Sequence, residues 1–288
     1  MRLKATIENV ITFSRIVQSI EKQSKACVMR FSPTTLQIIC AGESEGGVQV
    51  WSQIKVETLF KDFIIQSNSN NEITCELQTE PLLSALKSAS ASLDITMKLA
   101  KRDNVAVFCF EMQVQSRQGK KMEITHDVRV KILKLSEVLA LKEPLCPEPD
   151  IHIILPPLAK VRTVVERMAK LSPIIGFSAQ ADGNLKVEIA TDSVAVETIW
   201  QNCPLPQIAG EGGEKDNSME EDEKPFHAVL LSMRSLLRFL SSYVVSTTTI
   251  ACICSGHCLI MYVYIGEMDD SGGVLTFYIP SRMDEIAD

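Results

Sequence analysis

Residues 123–157 read EITHDVRVKILKLSEVLALKEPLCPEPDIHIILPP, and their order decides how the rest of the chain is parsed. Ile124, His126, Val128, Val130 and Ile132 fall on one side of an alternating run, the period of a β-strand. Pro144, Pro147 and Pro149 follow; proline has no amide hydrogen to give a sheet ladder, so this piece stays out of both neighbouring sheets. Ile151–Leu155 is a second strand-like run. Two strands parted by a segment that does not itself fold mark a join. The predicted division is 1–133, a connector over 134–149, and 150–288.

Working outward, each side carries two copies of one order of signals. The first copy has a strand at Leu3–Glu8, a helix with Phe13, Ile16, Val17 and Ile20 on one face, a hairpin of Cys27–Phe31 with Leu36–Cys40, and a closing strand at Val48–Ile54. Val56–Gln66 then carries the chain onward. The second has Glu72–Gln78, a helix opened by Pro81 with Leu82, Leu83, Leu86 and Ala89 inward, the hairpin Asp94–Leu99 with Val105–Glu111, and the closing strand Glu123–Leu133. The third has Ile151–Leu155, a helix with Leu158, Val161, Val165, Met168 and Leu171, a hairpin turning at Asp182-Gly183, and Val194–Trp200. The fourth has Ala228–Leu231, a helix with Leu236, Leu237 and Leu240, a hairpin turning at Ser255-Gly256, and Val274–Ile279.

The predicted architecture is therefore α+β: strand–helix–strand–strand–strand four times, in two pairs. No unit of one helix and a strip of sheet buries itself alone, so the repeats must pack together. Short connections require antiparallel pairing, and alternating strands such as Val194, Val196 and Thr198 imply sheets with one covered face. Gly210–Lys224, GEGGEKDNSMEEDEK, breaks the pattern and reads as an acidic, disordered loop. Ser218, followed by four carboxylates, fits an acid-directed kinase, although a solvated loop accounts for the same residues.

Composition limits the function classes. At 45 % hydrophobic and 23 % charged, the 288 residues suit a soluble globular protein able to bury a full core. A net charge of −7 argues against unspecific nucleic-acid binding by the chain as a whole. The start, MRLKATIENV, lacks the apolar run of a secretory signal. Nine cysteines among apolar neighbours suit reduced, buried thiols in cytosol or nucleus.

Catalytic patterns are not apparent. His126 and Asp127 are strand neighbours and point to opposite faces. Cys252, Cys254 and Cys258 around His257 lack the two-residue spacing and the second pair of a structural zinc site; Cys252 and Cys254 instead point the same way from one strand, as core thiols. Phosphate-loop, nucleophile-elbow and paired-carboxylate motifs are missing, so the reading is a non-enzymatic protein with no cofactor and no metal.

The informative charges lie on the helices. Arg15 and Lys22 are seven apart, about 20° from alignment, on the face away from Phe13 and Ile16. Lys25 follows the helix end. The second helix offers Lys87; the third Lys160 and Arg167, with Arg162 and Lys170 nearby; the fourth Arg234 and Arg238. On one helix such cations are an ordinary wet face. Recurrence in four equivalent helices of an acidic chain points instead to a basic lining that meets phosphates without reading sequence.

The four units in two tandem pairs resemble the eukaryotic DNA sliding clamp, proliferating cell nuclear antigen, as does the closing run GVLTFYIPSRMDEIAD. CVMRFSPTTLQIIC, GGVQVWSQIKVETLFKDF, NNEITCELQTEPLLSALKSA, ITHDVRVKIL and EPDIHIILPPLAKVRTVVERM are more closely similar to the hydroxyurea-sensitivity (Hus-type) subunits of heterotrimeric DNA-damage checkpoint clamps. The resemblance runs nearly end to end and is weakest at 210–224. It implies a nuclear subunit that closes with two different partners into a ring around duplex DNA. A dedicated loader would place the ring at damage-associated junctions, where it supports checkpoint kinase activation and recruits repair enzymes. By motif position it places Lys22, Lys25, Lys87, Arg167, Lys170 and Arg234 toward DNA; Arg15, Lys160 and Arg238 are added by helix geometry. Ring closure in that family pairs strand edges, which implicates Ile124–Leu133 (Val128, Val130, Ile132) and Val194–Trp200 (Val194, Val196, Thr198). Leu135–Pro149 is expected to drape over the outside of the ring. The rival readings are a replicative homotrimeric clamp, a DNA-processing nuclease, and a scaffold without DNA contact.

Overall fold

A computed structural model describes residues 1–41, 47–92, 94–115, 121–206, 225–268 and 271–282. The acidic loop with Ser218 and the tail from 283 lie outside the described residues. The first unit is β1 (Arg2–Ile7), α1 (Val10–Glu21), β2 (Ala26–Phe31), β3 (Thr35–Cys40) and β4 (Gln49–Lys55), followed by α2 (Val56–Leu59) and β5 (Phe60–Gln66). The second is β6 (Ile73–Gln78), α3 (Thr79–Ala89), β7 (Asp94–Arg102), β8 (Val105–Gln115) and β9 (Lys121–Ile132). After α4 (Leu135–Ala140), the third is β10 (Ile151–Ile154), α5 (Leu158–Met168), β11 (Ile174–Gln180), β12 (Asn184–Ala190) and β13 (Ala195–Trp200). The fourth is β14 (His227–Ser232), α6 (Met233–Leu240) with a 3-10 turn at Ser241–Val244, β15 (Thr248–Cys254), β16 (Cys258–Ile265) and β17 (Gly273–Pro280).

Among the described residues every strand pair is antiparallel, in two sheets. One has thirteen strands in the order β10-β15-β16-β17-β4-β3-β2-β6-β9-β8-β7-β1-β5; the other is β13-β12-β11-β14. The larger sheet crosses from one half of the chain to the other through β17 and β4, paired from Gly273–Ile54 to Tyr278–Gln49. The helices cover one side. Asn9 caps α1 by accepting the Thr12 N–H at 3.1 Å, and the helix then buries Phe13, Ile16, Val17 and Ile20 as its spacing predicts. α1 lies on α3 and α5 on α6, while the 3-10 turn packs on both α1 and α5. A buried Ser19–Ser242 hydroxyl bond of 2.9 Å fixes that central contact. The helices thus form one row running across both halves.

Several local expectations are corrected. Val56–Gln66 is a short helix and a further strand, β5, which returns to β1 at the end of the sheet. Leu171 is 51 % exposed, because α5 stops at Met168 before that residue can turn inward. The connector is not wholly irregular: Leu135–Ala140 is helical, with Glu137 accepting the Lys134 N–H at 2.8 Å, and only the proline-rich remainder lacks regular structure. The outer face of β15 and β16 is also covered. Ile250, Cys252, Cys254, Cys258 and Ile260 form a second apolar cluster against Cys146 of the connector and Tyr262, Tyr264 and Tyr278. Cys252 and Cys254 do point the same way, into this outer cluster.

The Asp182-Gly183 turn takes a backbone only glycine adopts without strain. Gly183 has φ +80°, and a Cβ there would lie 2.5 Å from the Cys203 carbonyl oxygen. Gly183→Ala is expected to destabilise the chain by about 2 kcal/mol or more, read from the urea midpoint; a loss under about 0.5 kcal/mol would contradict this contact.

Candidate nucleic-acid interface and joining edges

The four repeat helices, with the four residues beyond each end, carry ten of the 29 Lys and Arg but only five of the 36 Asp and Glu. Arg15, Lys22, Lys25, Lys87, Lys160, Arg167, Lys170 and Arg234 are all exposed, and Arg238 is half-buried. The acidic chain therefore has a locally cationic helix row. Lys87, Arg167 and Arg238 sit in the last turns of their helices, and Lys22 is the C-cap of α1. The carbonyl-rich, partially negative helix ends favour each cation there.

Packing gathers part of this set. Because the 3-10 turn sits between α1 and α5, the end of α1 meets α6 across a cleft of about 370 Å³ lined by Lys22, Arg162, Arg234, Leu237, Arg238 and Ser241. Lys22 touches Glu21 at 3.1 Å, a solvent-exposed pair of little energetic weight. Arg162 donates to Glu166 at 2.7 Å and lies 5.2 Å over the Tyr243 ring. Four cations converging on one open cleft form an arrangement suited to phosphate oxygens. Arg15, Lys25, Lys87, Lys160, Arg167 and Lys170 do not line this cleft. Arg162 was not among the expected DNA-facing residues: its i,i+4 relation to Glu166 reads as an ordinary exposed pair. Only the packing of α5 on the 3-10 turn reveals it.

The expected joining edges come out unequally. β13 bonds to β12 on one side and is the terminal strand of its sheet, with Ile199 44 % exposed. Val196 and Thr198 lie on it, and Val194 just precedes it. β9 is not an edge along its whole length. Lys121–Arg129 pair with β8, while Val130, Lys131 and Ile132 pair instead with Leu77, Glu76 and Cys75 of β6. Val130 and Ile132 lie in the stretch paired with β6 and so are not on the open edge, whereas Val128, its side chain buried in the core, is paired only with Phe108 of β8. The open stretch is residues 121–129, where Met122 is 48 % exposed. β5, like β10 and β14, also ends a sheet, but a register shift in its pairing with β1 and the left-handed Asp62 (φ +50°) blunt its edge.

All nine cysteines are free thiols; only Cys146 is half-exposed and the other eight are buried. Burial pushes the Cys27 and Cys252 thiols up to about 12, well away from a reactive thiolate. Among the described residues no three His, Cys, Asp or Glu converge as metal ligands. Native alkylation at pH 8 is expected to label about one thiol quickly, at Cys146; fast labelling of Cys27 or Cys252 would contradict their burial.

Two antiparallel sheets, four repeated units and one helix row make this a DNA-clamp fold. The same fold is found in proliferating cell nuclear antigen of Entamoeba histolytica, at a TM-score of 0.70 over 98 % of this chain and 99 % of that one, with 15 % sequence identity. The chain belongs to the Hus1-like protein family, whose profile matches residues 1–283. It is 34 % identical over 288 residues to the checkpoint protein hus1 of Schizosaccharomyces pombe, covering 99 % of this chain and all of that one. It is 32 % identical over 243 residues to checkpoint protein HUS1 of Homo sapiens, covering 83 % and 85 %.

Proposed function

We propose that this chain is a subunit of a heterotrimeric checkpoint clamp in the nucleus. The ring encircles duplex DNA at damage sites, supports checkpoint kinase signalling and recruits repair enzymes, with no catalytic activity of its own. Residues 1–133 and 150–288 act as two clamp domains joined by 134–149. The helix cations, led by Lys22, Arg162, Arg234 and Arg238, meet the phosphate backbone without reading sequence. A clamp loader and two further clamp subunits complete the working assembly.

The observation that carries the ring is the join inside the chain. There the closing strand of the second half, β17, pairs with the fourth strand of the first half, β4. The counterparts by repeat position are β9, which closes the first half, and β13, the fourth strand of the second half. Both retain an open edge. Repeating the internal join between neighbours extends the sheet head to tail until it closes. Co-purification with candidate clamp subunits, followed by a solution mass, tests this. A three-chain assembly with one copy of this chain is expected; a self-sufficient ring of three copies would establish the homotrimeric clamp instead.

A further inference from the structure

The internal join supplies a register for the external one. Lys131 of β9 pairs with Glu76 of β6, and the equivalent bond in the second half runs from the Arg282 N–H to the Leu230 oxygen of β14. Glu76 and Leu230 both stand two residues before the N-cap of their helices. Residue 131 therefore corresponds to residue 282, and β9 Met122–Asp127 to β17 Gly273–Tyr278. Leu36 faces Phe31 and Ile54 just as Leu185 faces Ala179 and Trp200, so β13 Ala195–Trp200 corresponds to β4 Gln49–Ile54.

Transferring the β17–β4 pairing onto β9 and β13 sets Met122 opposite Trp200, Ile124 opposite Thr198, Thr125 opposite Glu197 and Asp127 opposite Ala195. One face of that joint is apolar, with Met122 and Ile124 set against Trp200, and carries no charge that discriminates between partners. On the other face Glu197 lies opposite Thr125, with Glu123 and Asp127 on its two diagonals. A two-residue slip in either direction puts a carboxylate directly opposite it. Glu188, beside Glu197 on β12, adds a further acid. Two cations stand close by: Arg102, 3.4 Å from Asp127, and Lys186, 2.8 Å from Glu188. Among the described residues Glu197 itself has no ion pair. The internal join shows the contrast: Val274, Thr276 and Tyr278 meet Gln53, Trp51 and Gln49, so the paired strands themselves carry no charge on that face, and the Glu143 carboxylate beside them accepts the Tyr278 hydroxyl at 2.7 Å.

Resting on the ring reading above, we infer that Glu197 on one edge, and Glu123 with Asp127 on the other, exclude a second copy of this chain. The same carboxylates select two different neighbours whose paired strands present Lys or Arg at those positions. Like charges on facing strands oppose pairing and opposite charges favour it, so the device discriminates without altering the apolar fit.

The test uses the purified full chain alone, in sedimentation velocity over a range of concentrations. All three carboxylates are exposed on strand surfaces, so substitution leaves the core intact. Wild type is expected to be monomeric. Glu197→Lys alone, and Glu123→Lys with Asp127→Lys, should each strengthen self-association by roughly tenfold per joint. Combining all three substitutions restores like charges and should return the chain to wild-type behaviour. Such a reversal has no explanation in general surface charge. A monomeric wild type whose variants stay monomeric, or effects that add in the triple variant, would overturn this inference alone. A wild type that already forms a closed trimer would overturn the heterotrimer reading.

Discussion

Reversing Lys22, Arg234 and Arg238 together to Glu is expected to flatten the salt dependence of clamp–DNA binding. Each phosphate contact contributes about 0.9 to the slope of log affinity against log salt, so losing three makes it shallower by about 2.7. Between 50 and 200 mM salt, that corresponds to about forty-fold less loss of affinity than wild type shows. Binding at low salt falls at the same time, since three carboxylates now face the backbone. The measurement is retention of the assembled clamp on closed circular DNA across a salt series. These three residues are chosen because α1, α6 and the 3-10 turn bring them into one cleft. An unchanged slope would support a scaffold without DNA contact. Adding Arg162→Glu should extend the effect, because that guanidinium lines the same cleft.

The second large effect concerns the seam between the halves. Phe277 on β17 is fully buried, pairs with Val50 on β4, and meets Phe239 of α6 edge to face at 5.1 Å. Phe277→Ala removes a ring at the point where one half's sheet continues into the other's. A cost of about 3–5 kcal/mol is expected from lost burial and the remaining cavity. Urea unfolding checks it, with two probes placed in the two halves. Wild type should unfold with coincident transitions, and the variant with a lower midpoint, separating into two steps if the seam opens before the halves do. A loss under about 1 kcal/mol would mean that the seam is held elsewhere.

The repeat was legible in sequence because both of its periods are short-range. Phe13, Ile16, Val17 and Ile20 mark a helix face, and alternation marks strands, whatever else the chain does. The cations were legible for the same reason: a residue seven positions along returns to nearly the same helical face. Val56–Gln66 was not, because β5 is stabilised by pairing with β1 some sixty residues away rather than by any local turn signal. Leu171 followed the helical period beyond the point where the helix stops.

Backbone periodicity alone was enough for the α+β class, the four units and the wet helix faces. Which strand edges remain open depends on long-range pairing. Alternation shows which face of a strand is covered but says nothing about whether its hydrogen bonds are already taken. β9 bonds to β8 as far as Arg129 and to β6 beyond it, so its β6-side edge is open up to Arg129, and its sequence does not mark the change. Tertiary structure likewise decided which cations meet. Lys22, Arg162, Arg234 and Arg238 come from three helices of two halves, and they converge because a buried Ser19–Ser242 bond seats the 3-10 turn against α1.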